Sequence, residues 1–309
     1  MIKERLNKLK KKINLLNLDG YVIPKNDDFF SEYSQKDRLK IISNFTGSAG
    51  YAVILKNKNY LFVDGRYSIQ AKIESGKLFK IKKFQDIFNC SLFKGLKLGM
   101  DPKIFTSKQI HRFFTKFTKI ELIDDNLIDQ IYSEKLNITK PFYSIDEKFA
   151  GEGFLKKINR TLKIMKKENS DYLFISAPEN IAWLLNIRGF DNPNSPIPNC
   201  RLLLTKNKKF FLISERYKNK KLIKEKKINE DQVVDPSELE SFLVRFKNGK
   251  IIIDNETCSI YFEKILRKKF KILNNKDPIY LLKAVKNKKE INGMIDSHIL
   301  DGAALTKFL

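Results

Sequence analysis

The chain carries one string of landmarks twice, about 150 residues apart. Asp19-Gly20-Tyr21-Val22-Ile23 is matched by Asp171-Tyr172-Leu173-Phe174-Ile175, and Asp64-Gly65-Arg66-Tyr67 by Ser214-Glu215-Arg216-Tyr217. Lys97-Leu98-Gly99-Met100-Asp101 is matched by Lys250-Ile251-Ile252-Ile253-Asp254. Asp19 and Asp171 are 152 residues apart, Arg66 and Arg216 150, and Asp101 and Asp254 153. A period this long is not that of a solenoid; it implies two similar domains. Each copy opens on a helical pattern, Leu6, Leu9, Ile13 and Leu16 in the first and Leu155, Ile158, Leu162 and Met165 in the second, both spaced 3-4-3. Apolar strand runs joined by an Asn/Lys turn follow, at 51–64 and again at 201–213. The expected class is α/β, with a mixed sheet flanked by helices in each copy. The expected domains are 1–139 and 140–280, followed by a segment, 281–309. That segment reads as a helix from Asn287 with no C-cap glycine or stop signal.

Composition removes several functional classes. The net charge of +24 raises nucleic-acid binding, but 50 of the 60 basic residues are Lys, scattered through every segment. Nucleic-acid sites favour clustered charge and the planar fork of Arg, so no dedicated nucleic-acid partner is expected. No apolar run approaches the roughly 20 residues that cross a bilayer, and no membrane partner is expected. The N-terminus lacks the apolar stretch of a signal peptide. Cys90, Cys200 and Cys258 are odd in number, far apart and without a CxxC, which fits a reducing compartment.

Thr46-Gly47-Ser48-Ala49-Gly50 fits neither a nucleophile elbow nor a phosphate loop. Gly47 and Gly50 instead suit a tight helix-to-strand connection, allowing a positive φ or a close backbone approach. His111 and His298 stand alone, and no HExxH occurs. Asp27-Asp28, Asp124-Asp125 and Asp191 read as caps and solvated turns. No catalytic, cofactor-binding or metal-binding set can be assembled within the chain. Arg66 is the candidate binding residue. A strand end followed by Gly can present it at a sheet edge, where it could grip a carboxylate or carbonyl, or simply pair with Asp64.

Five segments in order, DGYVIPKNDDFFSEY, ISNFTGSAGYAVIL, FVDGRYSIQA, NIAWLLNIRGFDNPNSP and LLKAVKNKKEINGMIDSHILDGAAL, resemble the aminopeptidase P family, closest to its long three-domain Xaa-Pro aminopeptidases. The resemblance implies two tandem creatinase/prolidase N-terminal-type domains, with 281–309 as the first helix of a pita-bread catalytic domain lying downstream. It implies a metallopeptidase that removes the N-terminal residue from peptides with proline at position two. Two divalent ions, usually manganese, serve that family, and their ligands would lie beyond Leu309, so the 309-residue chain alone is expected to be inactive. The same resemblance implies a cytoplasmic homodimer and assigns substrate contact to Arg66, with Asp64 and Tyr67 as supports. Gly65 is replaced by Glu215 in the second copy, so the role is not extended to Arg216. In Trp183-Leu184-Leu185-Asn186-Ile187-Arg188-Gly189 the apolar residues are expected to pack the second domain, while Asn186, Arg188 and, two residues past the motif, Asp191 brace an interdomain face. The competing expectation is a non-catalytic peptide- or protein-binding module derived from this family.

Overall fold

A computed structural model describes residues 1–31, 36–89, 91–114, 118–133 and 140–309. Cys90 and Thr139, the expected end of the first domain, lie outside the described residues. The chain divides into two compact units, Met1–Ile138 with Asn255–Ile265, and Thr139–Asp254 with Leu266–Leu309.

In the first unit six strands, β1 (Gly20–Pro24), β2 (Gly50–Leu55), β3 (Asn59–Val63), β4 (Lys80–Lys83), β5 (Lys97–Met100) and β6 (Lys119–Leu122), form one sheet in the order β4-β3-β2-β1-β5-β6. Only β2 runs against the others. Successive side chains point to opposite faces of a strand. Tyr21, Ile23, Ala52 and Ile54 accordingly join Leu6, Leu9 and Ile13 of helix Ile2–Leu15 in one core cluster. Val22, Tyr51 and Val53 join Phe105 and Ile110 in another. Both faces are covered, which is why the central strands read as unbroken apolar runs. The segment following the last central strand of the second copy adds to this unit. Thr106 and Ser259 form an antiparallel bridge, and Ile260 N–H donates to the Phe105 carbonyl at 2.9 Å.

The second unit contains a short ribbon of β7 (Tyr143–Ser144) with β9 (Ile187–Arg188), and a sheet of β8 (Tyr172–Ile175), β10 (Arg201–Thr205), β11 (Phe210–Ile213), β12 (Val233–Val234), β13 (Lys250–Ile253) and β14 (Lys271–Asn274). Its order, β12-β11-β10-β8-β13-β14, and its strand directions repeat those of the first sheet. The duplicated Asp is structural. The Asp19 carboxylate accepts from Lys97 N–H at 2.9 Å and Lys56 Nζ at 3.3 Å, and Asp171 accepts from Lys250 N–H at 3.0 Å and Lys206 Nζ at 2.6 Å. Each Asp thus clasps the hairpin and the parallel neighbour to the same strand start.

Helix packing corrects the pattern match at 155–165. The buried positions of helix Phe154–Lys167 are Lys157, Ile158, Thr161 and Met165, while Leu155 is exposed. Leu6, Leu9 and Ile13 correspond to Ile158, Thr161 and Met165, at the same 152-residue offset as the strands. The 3-4-3 match had slipped by three residues, because a polar Thr and a Lys occupy core-facing positions. Leu16 lies beyond its helix and is exposed. Helix Lys288–Phe308 begins at Asn287, whose side chain forms a capping box with Glu290. Beyond its first turn its side chains are exposed, His298 among them.

Candidate functional site

β3 ends at Val63, and Asp64 starts a single 3-10 turn, Gly65–Tyr67, that runs into helix Ser68–Ser75. Asp64 Oδ1 accepts from Arg66 N–H at 3.0 Å and from Arg66 Nε at 2.9 Å. These bonds hold the Asp64 carboxyl below its ordinary range. The Arg66 side chain remains 72% exposed, with its guanidinium 5.4 Å from the centre of the Tyr67 ring. Of the two sequence alternatives the pairing with Asp64 is present, and the paired Arg66 side chain is still largely exposed. Its turn follows the C-terminal end of β3, beside antiparallel β2.

The Gly-rich loop is the seat of this turn. Tyr67 packs edge-on against Phe45 at 5.8 Å, and its hydroxyl shares a 2.9 Å hydrogen bond with Ser48 Oγ. A Cβ on Gly47 would stand 2.3 Å from Phe45 Cζ and 3.0 Å from Tyr67 Cγ. Close approach, not a positive φ, explains that glycine. Thr46 donates from N–H and Oγ1 to Glu74 at 2.8 and 2.7 Å, tying the loop to the helix after Arg66. The two motifs, far apart in function by their sequence patterns, form one structure.

Each half of the chain matches a family model for the creatinase/prolidase N-terminal domain, over residues 5–131 and 134–290. The chain belongs to this family. The creatinase-type pair is similar to the probable Xaa-Pro aminopeptidases P of Laccaria bicolor (29% identity over 99% of this chain) and Pyrenophora teres f. teres (32% over 98%), and to Xaa-Pro aminopeptidase 1 of Dictyostelium discoideum (30% over 100%). It spans about half the length of these relatives, 50, 50 and 53% respectively. Its fold matches that of X-prolyl aminopeptidase from Caenorhabditis elegans, a cytosolic enzyme with a di-nuclear active site, with a TM-score of 0.87 and 24% identity over the whole of this chain and 55% of that one.

In the second creatinase-type domain the turn begins one residue later, after Glu215, whose side chain makes no cap hydrogen bond, and Arg216 pairs with Glu238 at 2.8 Å. Arg216 and Arg66 thus sit in differently built turns. Gly65 is not what distinguishes them by packing, since a Cβ there would meet nothing within 4 Å. Trp183, Leu184, Leu185 and Ile187 enter the core as expected, joined by Ile181. The polar members of that motif are engaged within the second unit. Asn186 Nδ2 donates to the Glu152 carbonyl at 2.8 Å, Arg188 to the Ala182 carbonyl at 3.0 Å, and buried Asp191 accepts from Asn199 N–H at 2.7 Å and faces Lys218 at 3.3 Å. Asp191 is therefore not a solvated turn residue.

Lys157 was missed by pattern reading. It is 1% exposed and donates to the Trp183 carbonyl at 2.9 Å and to Asn186 Oδ1 at 2.7 Å. Its signal was available at the offset of the repeat, where Arg5 stands in the first copy. Among the described residues no group of three or more His, Cys, Asp or Glu side chains could hold a metal ion, so the chain's described residues do not fit a di-nuclear centre. Among the same residues no helix is long and apolar enough to cross a membrane.

Proposed function

We propose that this chain is the N-terminal portion of a metal-dependent Xaa-Pro aminopeptidase acting on peptides with proline at position two. Similarity along essentially the whole chain to proteins of that name, each about twice as long, supports the reading. Catalysis, with two divalent ions, manganese by expectation, belongs to residues outside Met1–Leu309, and the 309-residue chain alone is inactive. In the assembled enzyme, a cytoplasmic homodimer, Arg66 contacts the peptide. The observation that supports this role is an exposed guanidinium held on a braced turn at the C-terminal end of β3. Asp64 fixes the Nε edge, Tyr67 supports the turn, and Arg66 offers charged hydrogen bonding to a peptide carbonyl or carboxylate.

Two measurements test the reading. The purified chain should release no N-terminal residue from an Xaa-Pro peptide with or without Mn²⁺; Mn²⁺-dependent release would overturn it. In a form carrying the remaining half seen in the relatives, Arg66→Ala should lower kcat/KM by about 1–3 kcal/mol of transition-state binding. Unchanged kinetics would remove Arg66 from substrate binding.

A further inference from the structure

A cavity of about 750 Å³ lies in the second domain between helix Phe154–Lys167 and the turn that joins β10 to β11. The helix contributes Lys163 and Lys166, and the turn contributes Lys206 and Lys208, so ammonium groups line both sides. A single carboxylate lines it, Asp171, which is already occupied by Lys206 Nζ at 2.6 Å and Lys250 N–H at 3.0 Å. The side chains of Lys163, Lys166 and Lys208 make no hydrogen bond or ion pair among the described residues, and neither do the lining amides of Asn159, Asn169 and Asn207. The apolar part of the lining is Met165, 1% exposed, and the half-buried Leu162. The helix end itself is closed: the carbonyls of Ile164, Met165 and Lys166 accept from Glu168, Ser170 and Asn169 N–H at 3.0, 2.9 and 3.2 Å. A concave site lined by one sign of charge focuses its field and concentrates ions of the other sign.

The cavity differs from its counterpart in the first domain in ways that add charge and apolar surface. At the repeat offset of 152 residues, Lys166 stands where the first domain has Asn14, and Leu162 where it has Lys10. The second hairpin is also one residue longer, since Leu204 pairs with Phe210 whereas Ile54 pairs with Asn59. Its turn is closed by Lys208 at φ 66°, a left-handed conformation that Gly or Asn adopts at less cost. The first hairpin closes with no left-handed residue. A cation is thus held on the cavity's rim at a backbone position that does not favour Lys.

We propose that this cavity binds a polyphosphate group, carried by an inorganic chain or by a nucleotide, with Lys163 and Lys166 on one side of it and Lys208 on the other. Lys binds phosphate as a point charge, whereas carboxylates are best gripped by the fork of Arg, and no Arg lines the cavity. The volume is that of a small-ligand site. The inference is independent of the peptidase reading.

Isothermal titration of the whole chain with sodium tripolyphosphate, and separately with adenosine triphosphate, tests it at fixed ionic strength without divalent ions. Saturable binding at one equivalent is expected. Lys163→Gln with Lys166→Gln should weaken it about tenfold or more, the scale of lost charged hydrogen bonds. Lys208→Asn should also weaken binding, while the Tm without ligand stays equal or rises, because Asn suits the left-handed turn. Lys72→Gln with Lys264→Gln, two exposed lysines of the first unit, removes the same charge as the helix pair and should leave binding intact. Tighter binding of adenosine triphosphate than of tripolyphosphate would name the nucleotide as the source, its base on Leu162 and Met165; equal binding would name the inorganic chain. No saturable binding by the native chain, or equal losses in the cavity and control variants, would overturn the proposal and leave net charge as the cause of any heat observed.

Discussion

Lys157 stands in the second domain where Arg5 stands in the first, the fourth residue of a 14-residue opening helix. Each donates at 2.9 Å to a carbonyl three residues before a left-handed Asn, Lys157 to Trp183 and Arg5 to Ile41. Each also lies over an aromatic ring, Lys157 over Trp183 at 4.2 Å and Arg5 over Tyr132 at 4.1 Å. A cation near the C-terminus of a helix is favoured by its dipole and by the unpaired carbonyls of the last turn. The motif recurs because both domains end that helix in the same way.

Lys157 makes stability pH-dependent in a defined window. Burial pushes its pKa down from 10.5 to about 8. Below pH 8 the cost of the buried charge is present in full. Between pH 8 and 10.5 the unfolded chain holds more protons than the folded one, so the stability contributed through this residue rises with pH. The rise is bounded at about 3 kcal/mol. Urea unfolding at pH 7.5, 8.5 and 9.5 should show a shallower increase in Lys157→Met than in the native chain; parallel slopes would refute the assignment.

Trp183, the single Trp, reports on helix Lys288–Phe308. Its Nε1 donates to Glu290 Oε1 at 2.9 Å, while Glu290 Oε2 accepts from Asn287 N–H at 2.9 Å and Asn287 Nδ2 donates to the Ala150 carbonyl at 2.9 Å. Glu290→Ala should cost about 1–2 kcal/mol, the scale of a lost cap plus a hydrogen bond. It should also shift Trp183 fluorescence and speed amide exchange in the first turn of that helix. Emission identical to that of the native chain would show that the contact is not formed in solution.

The duplication, the strands and the helix starting at Asn287 were legible because period-2 and period-3.6 patterns and turn residues are local signals. The opening helix of the second copy was not fully legible, because Thr161 and Lys157 break the apolar code at positions that tertiary partners make acceptable. The left-handed ends at Asn17, Asn44, Asn169 and Asn186 went unread: Asn is ordinary in any loop, and only the helix before it gives it meaning. Arg66 was singled out by its motif, but its brace by Ser48, Phe45 and Tyr67 joins segments about 20 residues apart that no local pattern connects.

Two glycines of the candidate site should respond in opposite directions. Gly47→Ala places a Cβ against Phe45 and the Tyr67 ring, both part of the packed seat of the turn. A loss of about 1–3 kcal/mol is expected from overpacking. Gly65→Ala meets no atom within 4 Å, and its backbone has no positive φ. It should be neutral or stabilise by about 0.4–1 kcal/mol by restricting the unfolded chain. Thermal melts of the two variants distinguish these outcomes, and a destabilised Gly65→Ala would mean that the turn before Arg66 needs glycine for its conformation.

Arg38 is the residue on which the acidic end of the first domain depends. It is 5% exposed and neutralises Asp129 through two bonds, with Asp28 and Asp101 also in its field. Arg38→Met removes the bidentate partner of Asp129 and leaves it Lys36 at 2.6 Å, and a loss of about 1–3 kcal/mol, the scale of lost charged hydrogen bonds, is expected. Removing Asp129 as well should recover part of that loss, since the second change takes away the carboxylate that has lost its bidentate partner. The pH response carries a further sign. Burial raises Asp101 to about 6 from 3.8, so the folded chain binds more protons in that window and the stability contributed through Asp101 falls as pH rises across it. Arg38 opposes that rise, so Arg38→Met should push the falling limb to higher pH. Denaturant midpoints from pH 4 to 7.5 test both points. Equal losses in the single and double variants, with an unmoved limb, would show that Arg38 acts through packing rather than charge.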